Sequence, residues 1–385
     1  MVLMLGLLSV AIWLGLLLGR GAFWCADQRL PDAPAPGRWP VVAAVIPARD
    51  EAASIGAVLA AHAATAYPGR FSVTLVDDGS SDGTRFIAER ASEGAERPIR
   101  VVSGEPLPPR WSGKLWALEQ GVRAVLAAEP EVEYFLLTDA DIEHAPQTLS
   151  RLVALAEAHE LAQVSLMARL DARGFWGGLL VPAFVFFFQK LYPFPLVNDR
   201  NSAVAGAAGG CILIRRAALA DIGGIGALMD ALIDDCTLAS LVKRGARRKA
   251  IWLGLADTEV VSLRDNRALG AIWKMVTRTA FVQLHKSWAL LAGATVGMAL
   301  TYLAGPLLVL LVPMHGSAPA AALGVLAWAL SAIAYLPTLR LYGGDEVRAF
   351  ALPAVACVYM LMTLDSARAH AMGQGGAWKG RTYSH

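Results

Sequence analysis

Between residues 41 and 138, short apolar runs alternate with helical patterns, and several of the runs stop at acidic clusters. Strands are expected over 41–46, 71–76, 99–102 and 134–138, and helices over 54–64, 84–93 and 114–127. A strand, a crossover helix and a further strand repeated in this way build an α/β domain with a mostly parallel sheet and helices on both faces. Ligands of such sheets sit beyond the carboxyl ends of the strands. The loops after Ile46, Val76 and Thr138 are therefore expected to converge on one crevice.

The chain is 56% hydrophobic and 17% charged, against ~45–50% apolar in ordinary soluble domains, so part of it is expected to face lipid. Residues 2–19 are almost continuously apolar and uncharged, close to the shortest spanning helix of ~17–25 residues. No Lys or Arg precedes that run, while Arg20 and Arg29 follow it. This is an anchor pattern rather than a cleaved signal, with the next segment on the cytosolic side. Residues 31–40 carry four prolines and suit a linker. Three further spans are expected over 288–312, 320–336 and 350–364. Four crossings would put the basic tail outside, against the positive-inside tendency, a conflict that is resolved if 350–364 does not fully cross. The aromatic stretch 175–196, broken by Pro182, Pro193 and Pro195, suits a buried helix or one lying in the membrane interface. The expected organisation is an anchor over 1–20, a linker over 21–40, a catalytic domain over 41–286, membrane helices over 287–366 and a basic tail over 367–385.

A net charge of +2 argues against nucleic acid as a partner. Cys25, Cys211, Cys236 and Cys357 are scattered and suggest neither a disulfide framework nor a zinc site. The seven histidines show no ligand spacing and are read as non-ligands.

Five short segments carry chemistry. Ile46-Pro-Ala-Arg-Asp-Glu51 delivers acids into the crevice behind Pro47. Val76-Asp-Asp-Gly-Ser-Ser-Asp-Gly-Thr84 offers carboxylates that accept hydrogen bonds from a nucleoside, although it is also good turn material. In Leu137-Thr-Asp-Ala-Asp141, two carboxylates stand two residues apart, which an extended backbone would project to one side as hard ligands for Mg or Mn. Gly113-Lys114 opens a helix toward phosphate, and the P-loop pattern is absent because Leu115 follows the lysine. Asp234 and Asp235 lie at a helix start, where they suit either a cap or, for Asp235, a general base. No G-x-G-x-x-G follows the first strand, which disfavours a dinucleotide oxidoreductase.

Taken in this order, Pro47 to Glu51, Asp77 to Thr84, Gly113-Lys114, Asp139-Ala-Asp141 and Asp234-Asp235 resemble glycosyltransferase family 2, enzymes with the GT-A fold. Residues 106–116, 138–144, 275–281 and 378–381 resemble the hopanoid-biosynthesis-associated branch. The resemblance implies a metal-dependent inverting transfer from a nucleotide sugar, with a UDP-sugar the expected donor, to a membrane lipid such as a hopanoid. The expected setting is the bacterial inner membrane, with catalysis on the cytosolic side. It implies that Pro47, Glu51 and Asp78 line the donor, that Lys114 meets its phosphates and that Asp139 and Asp141 hold metal and donor. Asp235, beside Asp234, would take the acceptor proton. Arg278 is a candidate diphosphate or acceptor contact. The Q-x-x-R-W signature of processive synthases is missing, since the chain reads Trp273-Lys-Met-Val-Thr-Arg278, and single transfer is expected. A ceramide, sterol-type or polyprenyl-phosphate transferase would need the same donor site, and a silent scaffold would not need its carboxylates.

Overall fold

A computed structural model describes residues 1–231, 233–245, 249–373 and 375. Arg381, the 378–381 segment and most of the basic tail lie outside the described residues.

The first helix, α1 (Val2–Gly19), precedes an α/β domain that runs β1 (Val42–Ala48), α2 (Ile55–Ala63), β2 (Phe71–Asp77), α3 (Thr84–Ser92), β3 (Ile99–Ser103), α4 (Gly113–Ala128) and β4 (Tyr134–Thr138). It continues with β5 (Ile142–His144), α5 (Thr148–Ala158), β6 (Gln163–Met167), α6 (Gly174–Leu191), α7 (Phe194–Asn198), β7 (Cys211–Arg215), α8 (Arg216–Asp221), α9 (Asp234–Arg244), β8 (Ile251–Leu255) and β9 (Val260–Ser262). The expected strands and helices of 41–138 are all present, with ends displaced by at most two residues.

Seven strands form one sheet in the order β3-β2-β1-β4-β7-β6-β8, and β5 pairs with β9 apart from it. β1, β2, β3 and β4 run parallel, whereas β7 is antiparallel to both of its neighbours. That reversal sets Cys211 opposite Thr138, so the start of β7 opens on the same edge as the end of β4. Pro47 stands inside β1, yet β1 pairs with β4 only through Val45, so its missing N–H breaks no bond of that ladder. The two sheet faces carry separate apolar cores, one beneath α2 and α5, the other beneath α4 and α9.

The chain then forms α10 (Leu269–Thr277), α11 (Ala280–Gln283), α12 (Trp288–Met298), α13 (Ala304–Leu310), α14 (Val312–His315), α15 (Ala318–Leu341) and α16 (Leu352–Ala371). A π-helical turn over Ala299–Leu303 joins α12 to α13. Among the described residues, five stretches are long and apolar enough to cross a membrane: α1, α6, Trp288–Leu310, α15 and Glu346–Ala371.

Sheet connectivity restricts one of them. α6 leaves β6 and the chain returns to β7, its hydrogen-bonded neighbour, through α7 of only 5 residues. An odd number of crossings would put paired strands on opposite sides of a bilayer, so α6 does not cross alone. It packs instead against the membrane-type helices, with Phe186 on Tyr335 and Phe187 on Tyr302, and Gln189 donates to Thr338 at 3.2 Å.

Candidate active site

The loops after β1 and β2 are laced together by main-chain donors. Asp50 N donates to Ser80 Oγ at 3.0 Å, Glu51 N to Thr84 Oγ1 at 2.7 Å, and Ser81 N to Asp50 Oδ1 at 2.7 Å. Asp82 accepts from Ala52 N at 3.0 Å and Thr84 N at 3.1 Å. Gly79 and Gly83 hold φ of +69° and +92°, conformations that favour glycine and turn the loop back onto α3. Asp78 is buried with its carboxylate 3.6 Å from Arg49, and Ser54 donates to Glu51 at 3.4 Å. Glu51 and Asp78 thus lie on these laced loops with Pro47 in the strand before them, and none of the three lines the cleft beside Lys114.

A charge cluster gathers after β4 and at the amino-terminal ends of α4 and α9. An open cleft of about 340 Å³ is lined by Lys114, Asp139, Gly209, Asp234 and Asp235 among others. Ser112 caps α4 by accepting from Leu115 N at 3.3 Å, which sets Lys114 in the first turn. Its ammonium stands 2.8 Å from Asp139 and 3.5 Å from Asp234. Burial alone would lower the lysine pKa, but Asp139, Asp234 and Asp235 outweigh it and raise it, so the charge stays on.

Asp235 accepts from Gly209 N at 2.9 Å and from Cys236 N at 2.7 Å. A Cβ at Gly209 would lie 3.3 Å from both Asp235 Oδ2 and the Lys114 ammonium, so glycine is what lets this backbone reach the carboxylate. Burial, reinforced by the charge of Asp234 and opposed by Lys114, pushes the Asp235 carboxyl up to about 6. A carboxylate poised there accepts a proton at neutral pH better than an ordinary aspartate. At the far end of α9, the Lys243 ammonium donates to the carbonyls of Leu196, Val197 and Val204 at 3.1, 2.6 and 2.7 Å, fixing the helix that presents Asp235.

The 139–141 segment departs from expectation. It is a turn, closed by Ile142 N donating to Asp139 O at 3.2 Å, rather than an extended strand end. Extended geometry therefore does not align the two carboxylates. Asp139 meets Lys114, whereas Asp141 meets Arg264 at 2.9 Å. Burial raises the Asp141 carboxyl, Arg264 lowers it and Asp139 raises it. Among the described residues no group of three or more His, Cys, Asp or Glu could hold a metal unaided. Two hard carboxylates nevertheless fit a cation that takes its remaining ligands from phosphate and water.

Arg264 had no motif to announce it. It reaches Asp141 because β9 pairs with β5, setting Ser262 opposite Ile142. Arg278 is exposed just after α10 and, like Glu51, Asp78, Asp141 and Arg264, is absent from the cleft lining. His144 accompanies Thr138 at 2.9 Å and meets His62 at a tilt of 38° with ring centroids 4.9 Å apart. Burial holds His62 down at about 4 and His144 well below its ordinary value, so both imidazoles are neutral.

The parallel sheet with one reversed strand, and the acidic crevice at its carboxyl edge, define a GT-A-like α/β fold. Across 97% of this chain and 99% of the other, it superposes with a TM-score of 0.56 and 20% identity on a mannosyltransferase of Pyrobaculum calidifontis solved with GDP-Man and Mn2+. Residues 43–223 match the glycosyl transferase family 2 model. A stretch of 88 residues is 34% identical to the undecaprenyl-phosphate 4-deoxy-4-formamido-L-arabinose transferase of Pseudomonas syringae pv. syringae (strain B728a), covering 23% of this chain and 23% of that protein. A glucosyl-3-phosphoglycerate synthase from Mycobacterium tuberculosis aligns over 66% of this chain and 87% of its own, with 20% identity and a TM-score of 0.40.

Proposed function

We propose that this protein is a metal-dependent, inverting, non-processive glycosyltransferase that moves one sugar from a nucleotide-sugar donor, a UDP-sugar foremost, to a lipid held in the bilayer. The observation that carries the reading is Asp235, half-buried, raised to about 6 and hydrogen-bonded to Gly209 beside the Lys114 cluster. Asp235 takes the proton of the acceptor hydroxyl as that oxygen attacks the anomeric carbon opposite the departing phosphate. Lys114 offers the leaving diphosphate a fixed positive charge, and Asp234 holds Lys114 in place. Glu51 and Asp78, with Pro47 behind them, face the nucleoside. Asp139 and Asp141 would hold Mg or Mn, which when bound neutralises the diphosphate.

In this reading α1, Trp288–Leu310 and α15 cross the membrane, while α6 and α16 stay on the catalytic side. Gly6 of α1 packs on Leu323 and Leu308, Trp13 donates to Thr301 O at 2.7 Å, and Arg20 caps the end of α6 through the Lys190 and Leu191 carbonyls. The far end of α1 is thus remote from the sheet. Both ends of α16 meet catalytic-side elements. Arg348, just before it, lies against Gly178 of α6, while Phe281 N donates to Ser366 Oγ and that hydroxyl donates to Thr277 O. The carboxyl-terminal end then shares the side of the catalytic domain, which removes the conflict with positive-inside charge. We place that side in the cytosol at the bacterial inner membrane, with 41–286 as the catalytic domain.

A hopanoid is the first acceptor proposed, on the resemblance of residues 106–116, 138–144 and 275–281. A polyprenyl phosphate is the second, favoured by the local identity to an undecaprenyl-phosphate sugar transferase. The test is release of nucleoside diphosphate from a panel of nucleotide sugars by the full chain in membranes containing either lipid, with and without divalent metal. Metal-dependent release with a glycosylated lipid, lost in Asp235→Asn, supports the reading. Silence across the panel with both lipids would overturn it.

A further inference from the structure

We propose that Arg264 is a built-in counter-ion which a divalent cation must displace from Asp141, so that metal and nucleoside diphosphate enter the crevice together and metal alone binds poorly. The inference rests on the reading of Asp139 and Asp141 as metal ligands. Its basis is the β5–β9 pairing, which continues one step past Ser262: Leu263 N donates to Asp141 O at 2.8 Å, and Arg264 comes next in line. The Arg264 guanidinium sits 2.9 Å from Asp141, with side chains 45% and 10% exposed respectively, so a cation from open solvent covers a carboxylate that is nearly enclosed. Lys114 neutralises Asp139 in the same way at 2.8 Å. Asp141 therefore already holds a cationic partner of its own, and Asp139 shares Lys114 with Asp234.

A divalent cation arriving alone must evict both partners and strand them beside its own charge. Arriving with a diphosphate, it brings the anionic oxygens that both partners need, and guanidinium matches phosphate as well as carboxylate. Metal and nucleotide then favour each other's binding, and the coupling is reciprocal.

A second feature of the same loop agrees. The Asn266 side chain is 1% exposed and neither its amide nitrogen nor its oxygen has a partner, although buried amides are normally bonded. The Asn266 side chain, two residues after Arg264, is thus unbonded in this arrangement, and releasing the arginine breaks no side-chain bond of Asn266.

The experiment is Mn2+ titration of the full chain in nanodiscs, followed by the electron paramagnetic resonance signal of free Mn2+, with Mn2+ alone and with UDP or GDP. The wild type is expected to gain about tenfold in Mn2+ affinity when its nucleotide is present. Arg264→Gln is expected to bind Mn2+ alone about fivefold tighter than wild type and to lose most of the nucleotide gain. Arg264→Lys, which keeps the charge, is expected to track the wild type, and Asp141→Asn to bind poorly throughout. A folded Arg264→Gln that binds Mn2+ alone no tighter than wild type overturns the proposal and leaves the metal reading intact. Wild type that takes up no Mn2+ with or without either nucleotide overturns both.

Discussion

In the loops after β1 and β2, main-chain N–H groups are tied to the side chains of Asp50, Ser80, Asp82 and Thr84, a first wall at the carboxyl edge of the sheet. On the β4–α9 wall, Lys114, Asp139, Asp141, Asp234 and Arg264 are tied largely to one another. The first wall keeps its shape whatever its ligand does, because its bonds belong to the fold. The second is a balance of charges, and a balance shifts when another charge arrives. A nucleoside site gains from the first kind of construction, and a centre where a phosphate departs and a proton moves gains from the second.

The comparison breaks most sharply at Asp235. Asp235→Asn is expected to lower kcat about 10³-fold while leaving nucleotide affinity within about twofold, measured by product release and by nucleotide binding. Its stability runs the other way. The raised carboxyl stabilises the fold below its ordinary value and withdraws that support as pH rises through about 6. The Tm of Asp235→Asn at pH 8 is therefore expected not to fall below wild type.

Lys114→Gln strands three carboxylates. A loss of about 10²-fold in kcat/KM is expected, with destabilisation of about 2 kcal/mol by thermal or denaturant unfolding, less than the ~3–5 kcal/mol for breaking a fully buried pair because the lysine is 23% exposed. An unchanged Tm would show that the cluster is not a balance.

The wild-type pH profile gives a smaller effect. Protonated Asp235 cannot accept a proton, so kcat/KM is expected to fall about tenfold per unit as pH drops below about 6. A profile flat to pH 5 removes Asp235 from the role of base. On the rigid wall, Asp82→Ala cuts the bonds to Ala52 N and Thr84 N. It should cost about 1 kcal/mol of stability and raise donor KM about threefold with kcat unchanged. Smallest of all, Arg278→Ala should alter kcat/KM by less than about twofold, since its side chain is exposed.

The first wall was legible in the sequence because its residues are neighbours in the chain. Strand runs stop just before Asp50 and Asp78, and a parallel sheet aligns those ends without further information. The second wall was legible only in its acids. Arg264 was missed because its partner is supplied by β5–β9 pairing across a long stretch of chain, and no local spacing encodes an antiparallel register of that range. The 139–141 turn was misjudged for a related reason. Period-2 geometry holds while a strand is paired, and β4 ends at Thr138, after which Asp139 O closes a turn with Ile142. Helix α6 shows the complementary limit: apolar length makes it a candidate crossing, and only the pairing of β6 with β7 shows that it turns back.

That return of the chain has an outcome for the product. With α6 and the crevice held on one side of the bilayer, a glycolipid made under the proposed function is born in the adjacent leaflet, sugar outward toward the catalytic domain. Spontaneous passage of a polar headgroup through ~30 Å of hydrocarbon is costly. Any use of that glycolipid on the opposite face therefore requires a separate flipping activity downstream, whose substrate is defined by the sugar this protein adds.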